Sequence, residues 1–168
     1  MAPLPESPRL CFRELSAADL DFVAAMLADP EVMRYYPKRY TREEAAAWIQ
    51  RQRDRYQRDG HGLWLVFDRN SGEPRGQIGL VMQDVDGRRE AEVGYLVHRP
   101  FWRQGLATEA ARATRDWAFA ALGWPRVISL IRPENQPSRG VAEKLGMAVE
   151  KRALHAGIEH LVYAVARP

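Results

Sequence analysis

A chain of 168 residues, 46 % apolar and 28 % charged, is long enough to bury a core of its own and has the make-up of an ordinary globular domain. Its net charge of +3 is scattered, which argues against nucleic-acid binding, since that wants a basic patch or stripe. The lone cysteine, Cys11, excludes an intrachain disulfide and a cysteine metal cluster, and no apolar run approaches the length of a membrane helix.

Residues 1–8 carry three prolines and neither a basic start nor an apolar core, so they read as a loose lead-in rather than a signal peptide. A cytoplasmic, reduced setting is the expectation. A first strand follows over Arg9–Leu15, and Ser16-Ala17-Ala18-Asp19 has the Ser-x-x-acid form of a helix start. Asp29-Pro30-Glu31 opens a short turn that ends in Tyr35-Tyr36-Pro37. Thr41-Arg42-Glu43-Glu44 is a capping box for a helix running to about Arg58, stopped by Gly60-His61-Gly62. Strands over 63–67, 77–82 and 90–98, joined by Asn-Ser-Gly and Asp-Gly turns, predict an antiparallel meander.

Leu106–Leu122 is the clearest helix, with Ala107, Ala110, Ala111, Thr114, Trp117, Ala118 and Ala121 as its apolar stripe and Gly123 as its C-cap. The β-branched strand Arg126–Ile131 completes a strand–helix–strand unit, which implies a parallel neighbour and hence a mixed sheet. A helix opens at Asn135, and a hairpin turned at Ala156-Gly157 closes the chain. One α+β domain over residues 1–168 accounts for all of it.

The stretch from Glu92 to Ala110 organises the rest. A strand delivers a small-residue turn, Arg103-Gln104-Gly105-Leu106-Ala107-Thr108, onto a helix N-terminus. The first N–H groups of a helix have no intrahelical partner and the helix dipole favours negative charge there. Gly105 and Ala107 admit a ligand close to the backbone, and Arg103 adds positive charge, so the expected guest is a phosphate or pyrophosphate. The alternative is a plain turn with a solvated arginine.

That stretch, together with Ser129-Leu130-Ile131, Asn135-x-x-Ser138 and Glu143-Lys144-Leu145-Gly146-Met147, resembles the GCN5-related N-acetyltransferase superfamily. Within it the chain is most similar to the RimJ/RimL-like branch typified by the ribosomal-protein alanine acetyltransferases. Asp29–Met33, Thr41-x-x-Glu44-Ala45 and the closing hairpin fit that branch, so the resemblance spans nearly the whole chain. It implies a mostly antiparallel sheet of about seven strands with flanking helices and a V-shaped splay between its two central strands. It also implies acetyl-CoA as donor, an amine on a peptide or small molecule as acceptor, and a homodimer within the family's habits. The residues themselves, with no cysteine partners and no His-x-x-x-His helix, lead to an expectation of no metal, and the scattered charge and short apolar runs to no nucleic-acid or membrane partner.

On the resemblance, Gly105 and Ala107 fill the last two named positions of the family's anion loop, while Trp102 stands where Arg or Gln is usual. Pyrophosphate binding then rests on Arg103, Gln104, Gly105, Leu106, Ala107 and Thr108, and the pantetheine arm on the strand from Gly94 through Tyr95 and Leu96 to Val97. Glu92, on the strand face shared by Glu90 and Gly94, is the candidate general base, unless it forms a cross-strand ion pair. The family's usual tyrosine, seven residues after Asn135, is replaced by Ala142, which leaves Ser138 as the candidate partner of the leaving thiolate, or as a local capping residue. Asn135 is expected to cap the helix and hold the pantetheine. Glu109 reads as structural, Tyr35 and Tyr36 as an amine pocket or a helix staple, His155 and His160 as surface histidines, and Arg42, Arg51, Arg53, Arg55 and Arg58 as a solvated helix face. The competing class is a non-catalytic acyl-CoA-binding sensor or scaffold of the same fold.

Overall fold

In the computed structural model, which describes residues 2–168, the elements run β1 (Leu10–Arg13), α1 (Leu20–Ala28), α2 (Arg42–Asp59), β2 (Leu63–Asp68), β3 (Pro74–Val85), β4 (Arg88–Val97), α3 (Leu106–Ala120), β5 (Arg126–Ile131), α4 (Gln136–Lys144), β6 (Ala148–His155) and β7 (Ile158–Ala166). The seven strands form one sheet in the order β1-β2-β3-β4-β5-β7-β6. Every neighbouring pair is antiparallel except β4 and β5. This is the mixed, mostly antiparallel α+β sheet expected from the sequence.

Local signals set the element ends. Both capping boxes form, Ser16 with Asp19 and Thr41 with Glu44, and Gly60 closes α2 in the left-handed conformation at φ 80°. The helix α3 stops at Ala120, short of the expected Leu122. Gly123 at φ 69° turns the chain back and Trp124 N–H reaches the Ala118 carbonyl. The buried stripe is therefore Leu106, Ala110, Ala111, Thr114, Ala118 and Phe119, with Ala121 outside it and exposed.

The two sheet faces are covered differently. On one, α1 and α2 pack Val23, Met26, Leu27, Ala45 and Ile49 against Leu65 of β2. On the other, Ala111 and Ala118 of α3 and Ala142 of α4 pack against Leu80, Ala91 and Val93. At Gly79, strand β3 lies so close to the preceding segment that a Cβ would sit 2.0 Å from the Gly62 carbonyl oxygen.

The sheet opens at its centre. β3 and β4 pair continuously from Val85↔Arg88 to Gly76↔Val97, whereas β4 and β5 share only Glu92↔Ile128. Beyond that point the strands diverge, as the resemblance implied.

The N-terminal segment is not loose. Glu6 bridges to Cys11, Trp117 Nε1 donates to the Pro3 carbonyl at 2.6 Å, and Arg69 donates to the Ser7 carbonyl at 2.8 Å. Pro3 and Ser7, held against α3 by Trp117 and Glu109, cover the helix instead of trailing from it.

Candidate active site

The loop between β4 and α3 has the geometry of an anion site. Arg103 and Gly105 both take the left-handed conformation, at φ 61° and 76°. Gly105 is the N-cap of α3 and brings no side-chain oxygen, so the first N–H groups of the helix stay unclaimed by a cap. Trp102, at the position where the family usually has Arg or Gln, donates its indole N–H to the Val97 carbonyl at 2.7 Å and ties the loop to the end of β4. Arg9 braces the other side by donating to the Gln104 carbonyl at 2.9 Å. Glu109 is held by Ser7 Oγ at 2.6 Å and by the Arg9 backbone and side chain at 2.9 and 2.6 Å, which gives it a structural part. Desolvation pushes its carboxyl up, and those hydrogen bonds outweigh the effect and hold it below the usual carboxylate range. Gly105 and Thr108 face an open depression shared with Arg9, Arg112 and Lys144.

The splay between β4 and β5 forms the floor of a cleft of about 390 Å³. Amide groups alternate between the two edges of a strand. On the β5 side of β4, the Val93 carbonyl accepts from Ser129 Oγ at 2.7 Å, and the Val97 carbonyl accepts from Trp102. Tyr95 lies between them, so its N–H and C=O are the pair left facing the gap without a partner strand. Of the stretch Gly94–Val97 expected to pair with a ligand arm, alternation selects Tyr95.

Glu92 sits where the strands part. One carboxylate oxygen accepts from the Leu130 N–H of β5 at 2.9 Å and the other from Gln83 Nε2 of β3 at 3.0 Å. Neither partner is a cation. The arginine partner considered for Glu92 belongs instead to Glu90, whose carboxylate meets Arg126 at 3.0 Å. Burial pushes the Glu92 carboxyl above the ordinary range, against the Leu130 and Gln83 hydrogen bonds and the positive charges of His160 and Arg55.

Helix α4 supplies the far wall. Asn135 caps it by accepting the Ser138 N–H at 3.2 Å, and the Tyr95 hydroxyl crosses the splay to donate to the Ser138 carbonyl at 2.7 Å. Both backbone groups of Ser138 are thereby engaged, while its hydroxyl makes no hydrogen bond to any other described residue. Ala142 is fully buried in the core, so its side chain points away from the cleft.

The remaining walls come from distant parts of the chain. Tyr35 and Tyr36 line the cleft, with the Tyr35 carbonyl accepting from Arg132 at 3.3 Å. Desolvation and the nearby Glu92 charge push the Tyr36 phenol up to about 12. Two expectations need correction. His155 and His160 are not simple surface histidines: the tip of the β6–β7 hairpin folds over the cleft and places their rings edge-to-face at 5.4 Å, and burial lowers the His155 pKa. Nor is the α2 face wholly solvated, because Arg51 and Arg55, one turn apart, both line the cleft.

The expected residues thus fall into two groups. Glu92, Gly94, Tyr95, Leu96, Asn135, Ser138, Tyr35 and Tyr36 share the cleft, and Arg103–Thr108 lie beyond the end of β4 at the start of α3. Sequence reasoning missed Gln83, Arg55 and the two histidines. The Asp-Gly and Ala-Gly turns beside Gln83 and His155 were visible, and nothing local said that these hairpins meet the same cleft. Among the described residues, no helix is long and apolar enough to cross a membrane.

Known proteins share this architecture. Residues 9–148 match the family model described as an acetyltransferase (GNAT) domain. The uncharacterized protein YkkB of Bacillus subtilis is 41 % identical over 127 residues, which is 73 % of this chain and 72 % of that protein. Spermidine N(1)-acetyltransferase of Escherichia coli is 28 % identical over 153 residues, 90 % of this chain and 80 % of that one. Among solved structures, an acetyltransferase from Agrobacterium tumefaciens superposes with a TM-score of 0.87 at 29 % identity, over 99 % of this chain and 96 % of its own. The fold also matches RimL, a ribosomal α-N-protein acetyltransferase in complex with coenzyme A, with a TM-score of 0.78 at 19 % identity over 97 % of both chains. A matched domain over most of the chain, on a splayed sheet that leads into a helix-start anion loop, makes this chain a member of the GNAT acetyltransferase family.

Proposed function

We propose that the protein transfers an acetyl group from acetyl-CoA to a primary amine, in a peptide or a small molecule, by direct attack within a ternary complex. The observation that carries this reading is Glu92: a carboxylate with no ion-pair partner among the described residues, at the parting of β4 and β5, held by Leu130 and Gln83 and lining the cleft, with its pKa raised by burial.

The donor fits the residues present. Its pyrophosphate would take the N–H groups at the start of α3 with help from Arg103 and Thr108, where left-handed backbone at Arg103 and Gly105 leaves room and no cap competes. Its pantetheine amides would extend β4 by pairing with the Tyr95 N–H and C=O, as an added strand does. Asn135 holds α4 in place beside that arm.

In the reaction, Glu92 takes a proton from the bound ammonium, either directly or through water, because an amine with a solution pKa near ~8 to ~10.4 lacks a free lone pair at neutral pH. A raised carboxyl pKa makes Glu92 a better acceptor for that proton. The nitrogen lone pair then forms the N–C bond to the thioester carbonyl carbon, and the C–S bond breaks. Sulfur departs with its electron pair, stabilised by the Ser138 hydroxyl, and takes a proton from water while the second proton on the acetylated nitrogen passes to water. Holding both reactants in line supplies most of the rate, and no covalent enzyme intermediate is required.

Release of free CoA thiol from acetyl-CoA, measured against a panel of amines, tests the proposal. Amine-dependent release that falls steeply in Glu92→Gln supports it. Tight acetyl-CoA binding with no release against any amine would instead establish the sensor.

A further inference from the structure

The acceptor half of the cleft is positively charged. Among its lining residues Arg51, Arg55 and Arg132 face a single carboxylate, Glu92. Arg132 is already paired with Glu134 at 2.6 Å. Arg55 is not: it is half-buried, it forms no ion pair with any described carboxylate, and its one hydrogen bond is to the neutral Gln52 Oε1 at 3.2 Å. Burial lowers its pKa, which measures how poorly the charge is solvated there.

Gln52 shows that this placement is built. Its side chain is 1 % exposed, and its Oε1 also accepts the Leu63 N–H at 3.0 Å, so it is locked to the edge of β2 and aims Arg55 into the cleft. Arg51 lies one turn earlier on the same helix face, over the Trp48 ring at 5.6 Å. Two like charges at this spacing repel each other in a bare helix. A half-buried guanidinium with no ion pair, its charge offset only at a distance by Glu92 and Asp59, is destabilising unless the guest brings an anion into contact.

We infer that the amine acceptor carries a carboxylate close to its amino group, and that Arg55, aided by Arg51, binds that carboxylate while Glu92 faces the amine. This inference rests on the acetyl-transfer reading above and narrows its acceptor. A guanidinium fork matches a carboxylate with two parallel hydrogen bonds, and a separated acid and base in one cleft match the two ends of an aminocarboxylate. Polyamines fit badly, since each further ammonium would face Arg51 or Arg55 with no second carboxylate to receive it.

The test compares acceptors that differ only in charge: free amino acids against their carboxamides, short peptides with an acidic first residue against their neutral counterparts, and spermidine. With acetyl-CoA saturating, the carboxylate form should show a kcat/KM at least about tenfold above its amide, the size expected for a charge-assisted pair. Arg55→Gln should abolish that preference mainly through KM for the amine, leave KM for acetyl-CoA in place, and Arg55→Lys should restore part of it. A preference confined to the peptides would make the acceptor a protein N-terminus, still carboxylate-selected. Equal or better use of amides or spermidine, or an unchanged ratio in Arg55→Gln, overturns the inference and leaves acetyl transfer standing. If no amine releases thiol, the acetyl-transfer reading fails. The inference is then decided by calorimetric binding of amino acid and amide to the CoA-loaded protein, where equal binding overturns it.

Discussion

The two parts of the proposed site are made of different material. On the proposed reading the donor side is backbone: left-handed residues at Arg103 and Gly105 and the uncapped start of α3, which lie beyond the cleft, and the Tyr95 edge of β4 within it. The acceptor half is side chains brought from α2, the 35–40 loop, β3 and the β6–β7 hairpin. Backbone recognises what every acyl-CoA has in common and tolerates sequence change around it. Side chains set which amine enters, and they change with each substitution. On that reading the first part answers to the donor and the second to the choice of amine.

That contrast can be broken by experiment. The largest effect is expected from Glu92→Gln, which should lower kcat by about a hundredfold or more at neutral pH with little change in KM for acetyl-CoA. Steady-state kinetics in both substrates check it, and an equal loss in acetyl-CoA affinity would move Glu92 to the donor half. In the proposed mechanism the same residue sets the acid limb of the wild-type pH profile. Its carboxylate must be deprotonated to act, and burial raises its pKa, so activity should climb with pH through a value above the ordinary glutamate figure near ~4.3. That limb should vanish in the variant.

Gly105→Val comes next. A branched side chain in the left-handed conformation costs about 1–2 kcal/mol and reshapes the anion loop. KM for acetyl-CoA should rise about tenfold or more, while the ranking of amines stays the same. A changed ranking would mean that the halves are coupled. Ser138→Ala should lower kcat by about fivefold to tenfold, most visibly with poorly activated thioesters, and leave the α4 cap intact because Asn135 accepts the Ser138 backbone N–H. Full activity would assign thiolate stabilisation to water alone.

The smallest effect concerns stability. A carboxyl whose pKa is raised on folding favours the fold while protonated, and that contribution is lost as pH rises through the folded-state value. Glu92→Gln removes the burden of a buried charge. It should therefore melt slightly above the wild type near neutral pH, and the advantage should fade at pH values below ~4, where the wild-type group is protonated in both states. Thermal melts across pH measure it. By comparison, Gly79→Ala should destabilise the sheet by about 2 kcal/mol, since its Cβ has no room beside the Gly62 carbonyl and the Leu63 backbone.

The parts of the fold legible in the sequence were those with short-range causes. The capping boxes at Ser16 and Thr41, the Gly60 stop and the apolar stripe of α3 each rest on contacts within a few residues, and each formed close to its expected place. The errors lay where long-range contacts decide. Residues 2–8 look loose by composition and are held by Trp117, Arg69 and Glu109, up to 114 positions away. Arg55 looks like one more solvated arginine until Gln52 and the cleft wall surround it.

The chain's own sequence was enough to determine a strand that ends in a small-residue loop on a helix start, because backbone geometry and an uncapped helix need only neighbouring residues to exist. Only the tertiary structure decided that β4 and β5 part just after Glu92, that Glu92 takes Leu130 and Gln83 in place of an arginine, and that Arg55 and the hairpin histidines close over the same cleft. Burial, pKa and charge pairing arise from groups far apart in the chain, and these became neighbours only when the sheet assembled.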